Sequence, residues 1–272
     1  MSNRSWDTEK LVSIIRRVAK DELLPRFTKV KHSKKLDGSI LTEADLAVQT
    51  AIEKKLKQLD ASILFLSEEM TLEEQENILQ QPDKAAWILD PLDGTTNFAA
   101  GIPYYAVSLA LIEQGQPALG IVYDPERDEC FVAEKDKGAT LNGNPVMKSD
   151  ETVLLKNAVA CVDLKRLPEE LAIKIVTQHP FRSQRSYGGV ALDWCWMAMG
   201  RFDVYLHGKQ NIWDYAAGQL IYSESGGLSC TLSGEPVFIQ NLQARSGVAA
   251  ASQDLFTEWT NWLGIKNADR VS

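Results

Sequence analysis

The sequence predicts a mixed fold, part α+β and part α/β, and three features of the 272-residue chain predict it. Apolar runs of strand length alternate with segments of helical periodicity on both flanks, as in α/β proteins. Between the flanks, residues from Tyr104 to about Val146 read as consecutive strands separated by turn residues. No internal repeat, low-complexity tract or linker interrupts this plan. It divides near residue 150 into an N-terminal α+β part, 1–150, and a C-terminal α/β part, 151–272, expected to pack tightly as one functional unit.

Each element has a local reason. From Trp6 to Phe27, Leu11, Ile14, Ile15, Val18, Leu23 and Leu24 recur at mostly helical spacing among charges, which predicts an amphipathic helix. Lys31–Ser39 is basic and turn-forming. Thr42 is an N-cap with Asp45 at capping-box distance, and the helix it opens is expected to turn Leu46, Ile52, Leu56 and Leu59 to the core. Ile63–Leu66 and Ala85–Leu89 read as buried strands, and Thr71 with Glu74 caps a short helix between them. Tyr104–Ile112, Pro117–Tyr123 and Glu129–Ala133 form an antiparallel meander, closed by a hairpin around Asn142-Gly143. Strands then return at Val153–Val162, Phe202–Leu206, Leu228–Leu232 and Gly247–Ala251. Helices lie at Pro168–Gln178, Val190–Met199, Ala216–Ile221 and Leu255–Leu263.

Composition limits the function. A net charge of −8 argues against a nucleic-acid polymer or an anionic membrane as partner. It also repels a phosphorylated substrate unless a bound cation reverses the local field. Cys130, Cys161, Cys195 and Cys230 lie far apart with no C-x-x-C, so reduced thiols are expected rather than disulfides or zinc. The N-terminal residues contain no apolar leader-like run and no stretch is long enough to span a membrane, so a cytoplasmic location is expected.

The chemistry concentrates in Trp87–Phe98, W-I-L-D-P-L-D-G-T-T-N-F. A strand ending in Asp90, followed by a Pro/Gly turn bearing Asp93, aims two carboxylates at one point, as Mg²⁺ requires. Gly94, Thr95 and Thr96 then offer backbone N–H groups to an anion. Upstream, the strand before Glu68 and Glu69 also ends in acids, and if the two strands are neighbours their ends meet. Downstream, Asp214 stands at the start of a helix. Singly, Asp214 reads as a helix cap and Glu68 as an acidic turn.

Together these blocks resemble the inositol monophosphatase family of Mg²⁺-dependent, lithium-sensitive phosphatases. D-P-L-D-G-T-T-N-F matches the family signature, Ser67-Glu68-Glu69 resembles its G-E-E, and Trp213–Gly227 follows W-D-x-A-A-G-x-x-[LIV]-x-x-E-A-G-G except at Ser225. With T-E-A-D at Thr42–Asp45, the resemblance spans most of the chain. It implies a layered α/β/α/β/α sandwich, as in the inositol monophosphatases and fructose-1,6-bisphosphatases, and a homodimer. It also implies two to three Mg²⁺ held by Glu68, Asp90, the Leu92 carbonyl, Asp93 and Asp214. Glu68 and Thr95 position the attacking water, Gly94, Thr95 and Thr96 receive the phosphate, and Lys34 and Asp45 support the site. No covalent intermediate is expected. A haloacid-dehalogenase mechanism is excluded by D-x-x-D spacing where that class uses D-x-D.

Substrate choice is less determined. The family reads substrate through a G-[ST]-A-A-like segment, here Gly188-Gly189-Val190-Ala191, and through a Glu seven residues before the helix Asp, here His207. His207, with Lys209 nearby, is positioned either to donate to a further anionic group or to face solvent from a loop. The resemblance favours a small polyol phosphate, most of all inositol-1-phosphate. A 3′(2′),5′-bisphosphate nucleotidase, a histidinol or sugar phosphate phosphatase, and a non-catalytic metal-binding regulator remain as alternatives.

Overall fold

Three apolar layers hold two sheets apart, and strand alternation generates them. The structure, a computed structural model, describes residues 6–27, 32–34, 40–146 and 153–266. The first sheet has seven strands in sequence order: β3 (Leu64–Ser67), β4 (Ala86–Asp93), β5 (Ala106–Glu113), β6 (Gln116–Asp124), β7 (Glu129–Glu134), β8 (Ala139–Leu141) and β9 (Asn144–Pro145). It is preceded by α1 (Thr8–Val18), a hairpin of β1 (His32–Lys34) with β2 (Ile40–Thr42), and α2 (Glu43–Leu59); α3 (Leu72–Leu79) separates β3 from β4 and α4 (Thr95–Ala100) separates β4 from β5. The second sheet takes its strands from β10 (Val159–Asp163), β11 (Ser183–Arg185), β12 (Val204–Gln210), β13 (Leu228–Cys230) and β14 (Arg245–Ala250), in the order β11-β10-β12-β14-β13. Its helices are α5 (Glu169–Gln178), α6 (Val190–Ala198), α7 (Ile212–Glu224) and α8 (Gln253–Leu263).

Successive residues of a strand point to opposite faces. Trp87, Leu89, Leu109 and Leu111 therefore meet Leu11, Ile15, Val48 and Ile52 of α1 and α2. Ile88, Ala110, Val122 and Phe131 face the other way, onto Trp194, Met197, Ala216 and Leu220 of α6 and α7. The same two helices pack on Tyr205 and Ala249 of the second sheet. Its far face, Val204, Leu206, Val248 and Ala250, is covered by Leu255, Phe256 and Trp259 of α8 and Ile175 of α5. The result is the α/β/α/β/α sandwich.

A trough in the first sheet seats α7. Ala110, Gly120 and Ala133 are direct cross-strand partners on β5, β6 and β7, so three small residues stand side by side on one face. A Cβ at Gly120 would lie 2.8 Å from the Ala217 carbonyl oxygen and 3.0 Å from its Cα. The helix backbone thus rests on the strand backbone, and α7 reaches the cavity described below at a fixed height.

Several sequence expectations shift. Both capping boxes form, Thr42 with Asp45 and Thr71 with Glu74. In α2, Ile52 and Leu56 are buried as expected, but Ala44 and Val48 join them in the core while Leu46 is exposed, because α1 and the sheet set the helix's rotation. The helix of the first segment passes into a π turn at Ala19–Leu23. The turn expected after Asp90 is instead a continuing strand, and α4 and β11 were not anticipated. The division near residue 150 falls in 147–152, and residues 31 and 35–39 of the basic loop likewise lie outside the described residues. All four cysteines are free and buried, and among the described residues no helix is long and apolar enough to cross a membrane.

Candidate active site

β3 and β4 are parallel neighbours, with Ser67 opposite Leu89, and the Glu68 N–H donates to the Leu89 carbonyl at 3.2 Å. Glu68 therefore emerges beside Asp90. Residues three apart on a regular strand face opposite ways. Here the β4–β5 register slips between Asp90 and Asp93: Asp90 pairs Ser108 and Asp93 pairs Ala106. The extra residue re-aims the strand, and both aspartates line one cavity of about 210 Å³. Pro91 is tolerated because a bulge is where a strand can dispense with an N–H.

The strand ends on Gly94 at φ +88°, the left-handed conformation that admits glycine without strain. A Cβ there would also meet the Tyr104 carbonyl oxygen at 2.8 Å. The following turn, Thr95–Thr96, opens α4 at the cavity wall, where first-turn N–H groups have no intrahelical acceptor. The Thr95 hydroxyl donates to the Leu92 carbonyl at 2.9 Å and lies 3.4 Å from Asp45 Oδ1. Asp45 is buried and accepts from the Thr42 N–H and hydroxyl; burial pushes its carboxyl up to about 6, with Glu68's charge adding to the rise. Lys34 ends β1, and its side chain lies outside what the structure describes.

Asp214 arrives from the third layer. It closes a capping box with Asn211, whose N–H donates to Asp214 Oδ2 at 2.7 Å, and it also lines the cavity. Cap and cavity wall are the same residue. Asp93 likewise has two attachments: its carboxylate accepts from the N–H groups of Val190 at 3.1 Å and Ala191 at 2.9 Å, at the start of α6. Both N–H groups belong to the segment expected from the sequence to contact substrate, and both donate to Asp93. Val190 and Gly189 line the cavity, whereas Ala191 is fully buried outside the lining. Asn97 of the same motif donates to the Tyr104 and Tyr187 carbonyls at 2.8 and 2.6 Å, tying β4's loop to the Gly188 segment.

His207 is neither in a loop nor facing solvent. It sits buried in β12, with Nε2 3.3 Å from Asp163 Oδ2, and the Lys209 N–H donates to its Nδ1 at 3.3 Å. Lys209 itself is exposed and outside the cavity. Five further lining groups escaped sequence reasoning: Cys161, Asp163, Arg166, Ser186 and Asn211. Asp193, two residues beyond the Gly188–Ala191 segment, also lines it and accepts from the Tyr104 hydroxyl at 2.7 Å. Burial pushes Asp193 up to about 7, against the pull of the Tyr104 and Cys161 hydrogen bonds. The D-L-K-R run after β10 was the available signal for Asp163 and Arg166, but only strand pairing reveals what it faces.

Among the described residues, no Lys or Arg lines the cavity beside Glu68, Asp90, Asp93 and Asp214 except Arg166. Asp90 is raised well above the ordinary carboxylate range by burial, then by Glu68, Asp93 and Asp214; Asp93 is raised by burial and Asp214, against its two backbone donors. Among the described residues, no three His, Cys, Asp or Glu side chains stand close enough to enclose an ion. Oxygen donors that crowd one cavity and repel one another nonetheless have the chemistry a hard dication takes. The residues fit Mg²⁺.

The inositol monophosphatase family model matches residues 6–262. Inositol monophosphatase 2 of Solanum lycopersicum is 37% identical over 245 residues, covering 87% of this chain and 90% of its own. Nus factor SuhB of Pasteurella multocida is 33% identical over 205 residues, 74% of each chain. Among solved structures, the Thermotoga maritima IMPase aligns with a TM-score of 0.80 at 26% identity, over 97% of this chain and 99% of its own.

Proposed function

The chain belongs to the inositol monophosphatase family, and on that premise we propose that it hydrolyses a small polyol phosphate, inositol-1-phosphate first among the candidates, by attack of water without a covalent intermediate. The observation that carries this reading is the convergence of Glu68, Asp90, Asp93 and Asp214 on one cavity beside the first turn of α4. The family is generally Mg²⁺-dependent, and two to three ions held by these carboxylates and the Leu92 carbonyl are part of the proposal. When bound, Mg²⁺ supplies charge neutralisation at the phosphoryl and leaving oxygens and acidifies water. Lithium sensitivity and a homodimer belong to the same reading.

The chain's own residues set the geometry. The Thr95–Thr96 N–H groups hold the phosphate where the dipoles of α4's opening turn point. Glu68 and Thr95 orient the water from the β3 and β4 ends, and Asp45, 3.4 Å from the Thr95 hydroxyl, supports Thr95 from behind. The first-sheet acids and Asp214 line one cavity, so groups from two layers of the fold position the reacting phosphate together.

The test is phosphate release from a panel at fixed Mg²⁺: inositol-1-phosphate, adenosine 3′,5′-bisphosphate, histidinol phosphate and a sugar phosphate, with lithium as control. Activity on the bisphosphate far above that on inositol phosphate overturns the substrate ranking. The Pasteurella relative's name, Nus factor SuhB, favours one second reading, a regulator that keeps the site. Phosphate release from none of the panel would replace the first reading with it.

A further inference from the structure

The family's hydroxyl-accepting Glu has become His207, and His207 has nothing left with which to accept. Its Nδ1 takes the Lys209 N–H, which places its proton on Nε2, directed at Asp163. The carboxylate missing from β12 is present one strand away. Asp163 is the registered partner of His207 across the parallel β10–β12 pair, and both line the cavity. Asp163 Oδ1 accepts the Lys165 N–H at 3.0 Å and Oδ2 faces His207 at 3.3 Å. An ionised carboxylate accepts about four hydrogen bonds, so acceptor capacity remains on the cavity side.

The position is built to hold that group still. Asp163 caps the short 3₁₀ turn Leu164–Arg166, and the turn is pressed onto β12, where a Cβ at Gly208 would lie 2.0 Å from the Arg166 carbonyl oxygen. His207 is 4% exposed and cannot swing away. Burial opposes the charge on Asp163, but the proton that His207 turns toward it, the nearby Arg166 and the Lys165 N–H outweigh it and hold the carboxyl below its usual range.

We propose that Asp163 is the specificity-determining acceptor for a hydroxyl on the substrate's carbon skeleton, with His207 as its positioning residue. The function has crossed from β12 to β10. The substrate class is a phosphate monoester of a polyhydroxylated alcohol, one of whose hydroxyls donates to the Asp163 carboxylate. This inference rests on the phosphatase reading above.

The experiment compares kcat/KM for inositol-1-phosphate with that for p-nitrophenyl phosphate, which offers no hydroxyl, in the Mg²⁺-loaded full chain. Wild-type release from both substrates tests the phosphatase reading; the change of their ratio in variants tests the role of Asp163. Asp163→Ala should lower the inositol-to-aryl ratio by about ten- to a hundredfold, the worth of a hydrogen bond to a charged group, mostly through KM. Asp163→Asn, isosteric and a weaker acceptor, should fall between. His207→Ala should lower the same ratio and His207→Gln, which keeps a donor, should recover part of it. A ratio within about twofold of wild type in both folded Asp163 variants overturns the proposal. So does an equal fall on both substrates, which leaves Asp163 as the cap of its turn.

Discussion

Gly120 lies in the first sheet's core, outside the cavity lining, yet its substitution should impair catalysis. In Gly120→Ala the new methyl would sit 2.8 Å from the Ala217 carbonyl oxygen and 3.0 Å from its Cα, both backbone atoms of α7. A carbon–oxygen contact settles at about 3.3–3.6 Å, so the helix must rise by about 0.5–0.8 Å. Flanking Ala110 and Ala133 give no sideways escape. Overpacking of this kind costs about 1–3 kcal/mol, a fall in Tm of about 2–10 °C for a chain of this size. Because Asp214 stands in the first turn of α7, it moves with the helix. A misplacement near 1 Å at a reacting site costs up to about a hundredfold in rate, so kcat should drop by about ten- to a hundredfold. The assay pairs thermal unfolding with steady-state phosphate release well below the variant's Tm. A variant that loses stability but keeps wild-type kcat refutes the claim that the trough sets the height of Asp214. Unchanged stability refutes the close seat itself.

Other consequences are simpler to test. Asp93→Asn should lower kcat by at least about a hundredfold, the scale of losing one electrostatic stabiliser, with far-UV circular dichroism unchanged; undiminished turnover would sink the metal assignment. Without divalent cations, stability should rise as pH falls from about 7.5 to about 5.5. Asp45 and Asp193 bind protons more tightly folded, near 6 and 7, than unfolded, near 3.8, so the native state takes up protons across that window. Urea midpoints in chelator at the two pH values check the sign, and a lower midpoint at the acid end contradicts it. Millimolar Mg²⁺ should raise Tm at about pH 7.5 and do so less at about pH 5.5, where protons compete for the same oxygens. Trp87→Ala, which removes a buried ring 5.1 Å from the Trp6 ring, should cost about 3–5 kcal/mol by denaturant unfolding.

What the sequence disclosed follows the range of the forces involved. Capping boxes at Thr42 and Thr71 are contained within four residues, and both form as written. The meeting of Glu68 with Asp90 required only that two short apolar strands be neighbours. By contrast, Pro91 was misread as a turn because the strand's continuation depends on hydrogen bonds from β5, which absorb the extra residue. The face of α2 was displaced from Leu46 to Val48 by packing against α1, which local periodicity does not contain. β11, three residues long, exists through its pairing with β10. The Asp163–His207 contact joins residues 44 positions apart through strand register, and no spacing rule announces it. The acidic end of the cavity was therefore legible as a motif, whereas the surroundings of Asp163 and His207 were a product of topology.

The two sheets contribute different things to the cavity. Strands of the first deliver Glu68, Asp90 and Asp93; strands of the second deliver Asp163 and His207, with Asp214 entering from the helices between. On the roles proposed above, cleavage and recognition hang on separate scaffolds. A lineage could exchange one substrate for another by rewriting strand tips in the second sheet, leaving the reaction's machinery undisturbed. A designer could do the same by transplanting those tips. The link that resists such exchange is Asp93, whose carboxylate accepts from the start of α6 and so ties the first sheet to the helices between the sheets.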